Sequence, residues 1–235
     1  MTATPLLSLR IGTVAPLGVR AAPSGIAKHA VDRPLVLSQT GFAGDGQGDP
    51  IRHGGPEKAV HHYPFDHYAA WSRDLGPHPL LAGPGAFGEN LSTEGLTEDT
   101  VAVGDVFRLG TALIEVSQGR QPCWKLNERF SRPEMARQVQ GTGRTGWYYR
   151  VLEPGRVSPD DRLALQERRA PEWTLTRIWR TFYIDPLNRE ELAGIAALHR
   201  LAEGWRSHAR RRLERNEVED WTRRLAGLDS SGKPV

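Results

Sequence analysis

The segment "VAVGDVFRLGTALIEVS", Val101 to Ser117, consists of short apolar runs that are separated by turn residues. Gly104-Asp105 and Gly110 are the expected turns, and the runs beside them have the length and composition of β-strands. The same pattern occurs in "LSLRIGTV" near the N-terminus and in "WYYRVLEPGRV", which ends in a Pro-Gly turn. Short strands at this close spacing predict a mainly β fold, closed or sandwich-like, up to about Gln166.

Helix signals are rare in the first part of the chain and dominate after Pro171. One peripheral helix is expected over Pro64 to Leu75, where the apolar residues recur with a period of about 3.6. Beyond Pro171, Thr174 can cap "LTRIWRTFY" and Asn188 can cap "REELAGIAALHRLA". The segments "EGWRSHARRRLERN" and "EVEDWTRRLAG" continue the pattern. The sequence therefore predicts a small C-terminal appendage of three or four helices.

The composition excludes several classes of protein. The chain has 235 residues and one cysteine, so it is long enough to bury a core but has no disulfide within it. No stretch approaches the roughly 20 apolar residues of a membrane helix, and the N-terminus lacks the pattern of a signal peptide. We therefore expect no membrane segment and a cytoplasmic location. The net charge of +3 is too small to indicate nucleic-acid binding, although it is compatible with an anionic ligand.

The single cysteine lies in a cationic setting, "SQGRQPCWKLNERF". Arg120, Lys125 and Arg129 lie near Cys123 in the sequence, and cationic neighbours lower a thiol pKa and favour the thiolate. Cys123 is therefore a candidate nucleophile or metal ligand. An inert, partly buried cysteine and a Cys-His hydrolase are the alternatives, and the Pro-Cys-Trp segment is not expected to open a helix.

A second candidate region is "GDGQGDPIRHGGPEKAVHHYPFDHY", residues 44–68. Its glycines leave backbone N–H groups accessible, and with Lys58 such a loop can cradle a phosphate or another oxyanion. The alternative is a glycine-rich surface turn with solvated histidines. The stretch also suggests a zinc site, although the spacing of its histidines matches no known zinc motif. These histidines are His53, His61, His62 and His67.

The segment "GTGRTG", Gly141 to Gly146, formally matches the dinucleotide pattern G-x-G-x-x-G. That motif follows a strand and opens a helix, whereas here the helix-like "PEMARQVQ" comes first and the strand-like "WYYRVL" follows. We interpret the segment as a flexible turn that offers N–H groups and Arg144 to an anion.

Four blocks of sequence stand out together: "HGGPEKAVHHYPFDHYAAW", "GAFGENLSTEGLTEDTVAVGD", "PCWKLNERF" and "TGRTGWYYRVLEPGRV". In this order they resemble the YiiM-like branch of the MOSC family, which is named after the C-terminal domains of molybdenum cofactor sulfurases. The helical tail resembles the three-helix extension of this branch, so the resemblance covers nearly the whole chain. It implies a MOSC-type β-barrel domain over residues 1–169, a three-helix domain over 170–228 and a flexible tail over 229–235.

The resemblance also implies a molybdenum cofactor of the molybdopterin type, with Cys123 as the protein ligand to molybdenum. A soft thiolate suits a high-valent molybdenum centre, and nearby cations suit the phosphate of such a cofactor. The implied cofactor-binding residues, carried over by their position in the matching blocks and in "SGIAK", are Lys28, His53, Lys58, His61, Asn90, Arg120, Arg144 and Trp147.

The activity implied by the resemblance is the reduction of N-hydroxylated compounds, including hydroxylaminopurines, other N-hydroxylated bases and amidoximes, to amines. The chain has no visible flavin or NAD motif, so a separate flavin or iron-sulfur reductase is the expected electron donor. The cationic run Arg210 to Arg215 is either a docking face for that reductase or a solvated charge run. A small N-hydroxylated substrate is the other expected partner, and a homodimer is an expected assembly.

Two other classes of function stay open at this point. A carrier would pass on the cofactor or its sulfur without turning over a substrate, and the same anionic pocket would serve it. A nucleic-acid-binding protein would use the arginine-rich tail with Trp205 and Trp221, and its binding would depend steeply on salt. The mild net charge makes stable nucleic-acid binding an unexpected outcome.

Overall fold

The structure is a computed structural model, and it describes residues 3–49, 54–229 and 231–233. One predicted site residue, His53, lies outside the described residues. Within the described chain, no helix has both the length and the apolar character needed to cross a bilayer.

The predicted mainly β fold with C-terminal helices is confirmed. The strands are β1 Thr4–Pro5, β2 Ser8–Ile11, β3 Ala15–Leu17, β4 Ala22–Ser24, β5 His29–Ala30, β6 Leu35–Ser38, β7 Gly41–Phe42, β8 Val60–Pro64, β9 Leu91–Thr93, β10 Asp105–Leu109, β11 Ala112–Gly119, β12 Trp147–Glu153, β13 Gly155–Val157 and β14 Arg162–Arg168.

The largest sheet has the strand order β1-β14-β10-β11-β12-β8-β9-β2-β5, and two small sheets of the described chain have the orders β13-β6-β7 and β3-β4. Among the described residues no pairing joins β1 to β5, so hydrogen bonds do not close the large sheet into a barrel.

The stretch quoted first forms the middle of this sheet. Strands β10 and β11 pair antiparallel around the predicted turn at Gly110, whose φ of 56° lies in the left-handed region that glycine tolerates. The run before Gly104 is not the strand that the sequence predicts, because the Asp105 carboxylate accepts a hydrogen bond from the Ala102 N–H at 3.0 Å and closes a turn. Ala102 forms only an isolated bridge with Thr174.

The helices are α1 Tyr68–Leu75, α2 Lys125–Phe130, α3 Met135–Thr142, α4 Leu175–Tyr183, α5 Arg189–Ala197, α6 Glu203–Arg215 and α7 Thr222–Ala226. Both predicted caps are confirmed: Thr174 accepts from the Arg177 N–H and Asn188 accepts from the Glu191 N–H, each at 3.2 Å. Short 3-10 turns cover Pro56–Lys58, Phe65–His67 and Pro79–Ala82. The division into domains at residues 169 and 228 stays a prediction.

Helix α2 corrects one expectation, because it begins directly after the Pro-Cys-Trp segment that was not expected to open a helix. Its first turn is closed by a hydrogen bond of 2.9 Å from the Leu126 N–H to the Cys123 carbonyl. No side chain among the described residues caps this end, and the helix is stabilised instead by burial of Leu126 and Phe130. Packing of an apolar face therefore outweighs the missing cap.

The apolar core has two parts. One lies between the sheet and helices α4 to α6 and includes Trp147, Phe182 and Trp205. The other lies under helices α1 to α3 and includes Phe87 together with Leu225 of α7. The last helix is therefore buried with α2 and α3 rather than in the core that the other C-terminal helices share.

Candidate functional site

A cleft at the edge of the β region brings together most of the predicted site residues. Its empty volume is about 600 Å³, including the part open to solvent. The predicted residues that line it are Lys28, Lys58, His61, Asn90, Arg120 and Cys123. The same cleft is also lined by Asp45, Phe87, Gly88, Lys125 and Tyr148, none of which was among the predicted site residues.

The partly buried Cys123 lies at the cationic end of this cleft. Burial lowers the pKa of Lys58, and the negative charge of a nearby Cys123 thiolate acts in the opposite direction. Burial raises the pKa of Tyr148, the neighbouring Arg120 opposes this shift, and Cys123 adds to it. Lys58 and Tyr148 therefore interact electrostatically with Cys123, and Arg120 interacts with Tyr148.

Asp45 organises the opposite wall of the cleft. Its carboxylate pairs with the Lys28 ammonium and accepts hydrogen bonds from the Gly12 N–H and the Asn90 amide, both at 2.8 Å. The Asn90 side-chain oxygen accepts from the His61 N–H at 3.0 Å. Burial lowers the pKa of Lys28, and the Asp45 charge opposes that shift. The Asn90 side chain therefore positions two neighbours, because its oxygen bonds to the His61 main chain and its nitrogen bonds to the Asp45 carboxylate.

Two buried nitrogen atoms in this cleft show that the site fits a polar ligand. His61 Nε2 and Arg120 Nη1 have no hydrogen-bond partner among the described residues. Burial, with the Arg120 charge as the second cause, holds the pKa of His61 well below its usual range, so the imidazole is neutral. Buried polar atoms are almost always paired in native proteins. A neutral ring nitrogen beside a cationic N–H group fits a cofactor that carries both ring heteroatoms and anionic oxygens.

Glycines of the predicted loop form the floor of the cleft. Gly46 and Gly48 line it, together with Gly25. A side chain on Gly25 would overlap the Gly46 carbonyl, and one on Gly48 would overlap the Pro23 carbonyl. The two backbone segments can approach this closely only because both positions are glycine. The stretch is therefore part of the cleft rather than an isolated surface turn.

The "GTGRTG" turn binds an anion, as predicted, but the anion is a carboxylate of the chain itself. The N–H groups of Thr145 and Gly146 donate to Glu98 Oε1 at 2.9 and 2.7 Å, and His67 Nε2 lies 2.7 Å from Glu98 Oε2. Glu98 is buried, so these bonds satisfy a charge that would otherwise be costly to bury.

The structure does not bring Arg144 and Trp147 into the cleft. Arg144 pairs with Asp74, and its guanidinium lies 3.7 Å from the centre of the Trp71 ring. Trp147 is fully buried in the core, where its ring lies 4.3 Å from that of His62. The β12 register pairs Trp147 with His62, and its side chain is buried in the core, whereas Arg144 lies in the loop before β12 and packs on Trp71 of α1.

The zinc hypothesis has no support in the described part of the chain, where no group of three or more His, Cys, Asp or Glu side chains is arranged to hold a metal. His62 is used internally: its Nδ1 lies 2.9 Å from the Tyr149 hydroxyl, and its Nε2 lies 2.9 Å from the Thr93 hydroxyl. His53 is outside the described residues.

The cationic run on α6 is paired in part within the protein. Arg212, expected on a solvent face, is buried and forms an ion pair of 2.8 Å with Glu219. Arg210 and Arg206 both pair with Glu203. A docking face for a reductase on this helix stays a prediction.

His62 gives a prediction about pH. Burial lowers its pKa from 6.5 to about 3, so the imidazole takes up a proton more readily in the unfolded chain. Its contribution to stability is complete above pH 6.5 and is lost as the pH falls towards 3, at up to about 1.4 kcal/mol per pH unit. We expect His62→Gln to reduce the loss of unfolding free energy between pH 7 and pH 5, measured by urea unfolding, while the exposed His199→Gln leaves that slope unchanged. Equal slopes in all three proteins would contradict this reading.

Comparison with known proteins agrees with this architecture. The MOSC domain is matched over residues 49–164 and the YiiM-like 3-alpha helix domain over residues 173–216. The chain is 41% identical over 205 residues to protein YiiM of Escherichia coli, covering 87% of this chain and 91% of that protein. The crystal structure of YiiM from Escherichia coli superposes with a TM-score of 0.78 at 36% identity and covers 93% of this chain and 100% of that one.

A second relative has a name that refers to activity. A protein named reductase from Gibberella moniliformis is 42% identical over 158 residues, which cover 67% of this chain but only 28% of that longer protein. The chain belongs to the YiiM-like branch of the MOSC family. MOSC domains are associated as a family with binding of the molybdenum cofactor.

Proposed function

We propose that this chain is an oxidoreductase that uses a molybdopterin-type molybdenum cofactor to reduce N-hydroxylated compounds, such as N-hydroxylated bases and amidoximes, to amines. The observation that carries the proposal is the cleft itself: the only cysteine of the chain shares it with the buried Lys28, the partly buried Lys58 and two buried nitrogen atoms that lack partners among the described residues. The reductase-named relative supports the oxidoreductase class.

The residues of the cleft divide into three roles in this proposal. Cys123 would supply a thiolate to the metal, and Lys58 and Arg120 would hold that thiolate and anionic oxygens of the cofactor. His61, being neutral, would make a hydrogen bond to a ring heteroatom through Nε2. When bound, the cofactor supplies the two-electron redox chemistry that no protein side chain here can provide.

The reaction is balanced by two electrons and two protons. The N–O bond of an N-hydroxylated substrate breaks, the nitrogen is left as an amine, and the oxygen leaves as water. The electrons would come from a separate flavin or iron-sulfur reductase. The guanidinium of Arg120 would supply hydrogen-bond donors, whereas Tyr148, whose pKa is raised by burial, stays a neutral phenol that can donate a hydrogen bond.

Arg120 provides a test of cofactor binding. We expect Arg120→Met to weaken retention of the cofactor by about tenfold or more, because a charged hydrogen bond in a buried site is lost. The readout is molybdenum and pterin per chain after dialysis of protein made in a host that produces the cofactor. The matched control is Arg108→Met, which removes a half-exposed guanidinium that pairs with Glu153 away from the cleft. Retention in Arg120→Met equal to that of the control would contradict the assignment.

Turnover separates the proposed enzyme from a carrier. With an artificial electron donor and an N-hydroxylated base, an enzyme forms many product molecules per chain at a steady rate. A carrier forms none beyond background and instead gives up its cofactor to an acceptor apoprotein. Absence of turnover in cofactor-loaded protein would reject the reductase and leave the carrier.

A further inference from the structure

The last helix of the chain lies directly against the Cys123 segment. The Trp124 N–H donates to the Arg224 carbonyl at 2.8 Å, and Arg224 Nη1 donates to the Pro122 carbonyl at 2.6 Å. One residue of α7 is therefore bonded to the residue before Cys123 and to the residue after it. These two bonds bridge about a hundred positions in sequence, so no local pattern specifies them.

The guanidinium of Arg224 is itself held from the other side. Its Nη2 donates to Gln140 Oε1 at 2.6 Å, and the Gln140 carbonyl accepts from Trp179 Nε1 at 2.6 Å. Arg224 thus connects the Cys123 segment to α3 and, through Gln140, to α4. The arrangement needs two donors in a fixed fork, which arginine has and lysine lacks.

The rest of α7 is seated on the same surface. The Leu225 carbonyl accepts from Asn127 Nδ2 at 2.8 Å, and the Leu225 side chain is buried. The Gly227 carbonyl accepts from Arg20 Nη1 at 3.0 Å, and a Cβ on Gly227 would lie 2.7 Å from the Trp124 ring. This segment follows the region matched by the YiiM-like helical domain, which ends at residue 216.

We propose that Arg224 is a positioning residue for Cys123: its guanidinium, held by Gln140, bonds to the Pro122 carbonyl and fixes the backbone before the thiol, while its main-chain carbonyl accepts from the Trp124 N–H after the thiol. The side-chain bond keeps the thiol beside Lys58 and Arg120. The expectation that loss of this positioning weakens molybdenum binding rests on the proposed function. The positioning of the thiol itself does not, since it follows from contacts within the chain.

The direct test is alkylation of Cys123 in cofactor-free protein, where the only cysteine of the chain gives an unambiguous signal. Iodoacetate is anionic and iodoacetamide is neutral, so the ratio of their rate constants at one pH reports the positive potential at the thiol. Greater exposure alone would raise both rate constants together. A thiol that moves away from Lys58 and Arg120 would lower the ratio.

We expect Arg224→Ala to lower this ratio by about threefold or more, the change in charge interaction expected when a cation a few ångströms away is withdrawn in a water-like dielectric. Arg224→Lys should lower it similarly, because lysine keeps the charge but lacks the fork. Arg223→Ala, which removes an exposed cation from the same helix, should leave it unchanged. If Arg224→Ala does not fold, the lysine variant decides. A wild-type ratio in Arg224→Lys overturns the proposal.

Molybdenum retention separates this inference from the proposed function. In protein from a host that makes the cofactor, Arg224→Lys should retain less molybdenum than Arg223→Ala. If the alkylation ratio falls but no variant or wild-type chain retains molybdenum, Arg224 positions the thiol and the proposed function is wrong. If the ratio is unchanged while wild-type protein holds molybdenum through Cys123, the proposed function stands and the role of Arg224 is rejected.

Discussion

Replacement of Cys123 by alanine should abolish molybdenum retention and reduce turnover of N-hydroxylated substrates by about a thousandfold or more, as loss of a reaction-centre residue commonly does. The physical reason is the absence of a substitute. Cys123 is the only cysteine of the chain, and among the other residues that line the cleft none offers a soft anionic sulfur. The measurements are metal content and steady-state rate with an artificial electron donor.

Two controls make this result interpretable. Cys123→Ser keeps the size of the side chain but supplies a hydroxyl in place of a thiolate, so it should also lose molybdenum. Gln166→Ala, an exposed change on β14, should retain both metal and rate. Full activity in Cys123→Ala would contradict the proposed function. If that variant retains the metal but does not turn over substrate, the thiol is needed for the reaction and not for holding the metal.

The second large effect is on stability, and it concerns Glu89, which is fully buried beneath the cleft. Its carboxylate accepts hydrogen bonds from the Tyr68 hydroxyl at 2.6 Å, from the Gly85 N–H and from the Phe87 N–H at 3.0 Å. Burial lowers the pKa of the neighbouring Arg129, and the Glu89 charge opposes that shift. We expect Glu89→Ala to lower the free energy of unfolding by about 3 to 5 kcal/mol, because three buried donors lose their acceptor and the partly buried Arg129 loses a nearby negative charge.

Glu94→Ala is the matched control for Glu89. Glu94 is an exposed glutamate five positions further along, and its removal should change the free energy of unfolding by less than about 0.5 kcal/mol. Urea unfolding measures both. A loss below about 1 kcal/mol in Glu89→Ala would contradict the reading of Glu89 as the centre of the network that holds Phe87 and Gly88 at the cleft.

The features of the fold that were predictable from sequence are those with local causes. Thr174 and Asn188 cap their helices through N–H groups three residues ahead, and the hairpin turns at a glycine with positive φ. Helix α2 was missed because its stability comes from burial of Leu126 and Phe130 against distant residues. The run before Gly104 was wrongly expected to be a strand, since its turn depends on one side chain, that of Asp105.

The candidate site was predictable only in part, for the same reason. The blocks of family sequence pointed to residues that the structure brings to one cleft, but they also pointed to Arg144 and Trp147, whose side chains are directed into other contacts. Asp45 and Arg224 were missed because each acts through partners far away in sequence. The glycines around Asp45 were the one local signal that this loop approaches another backbone closely.

Elemental analysis for molybdenum, together with pterin release, tests the proposed molybdenum site at Cys123. Both are measured on the wild-type chain and on Cys123→Ala, each made in a host that produces the cofactor. The proposed function predicts metal and pterin in comparable amounts, approaching one of each per wild-type chain, and loss of both in the variant. Wild-type protein without molybdenum or pterin from such a host would contradict it and leave Cys123 with a metal-free thiol function or a non-catalytic role.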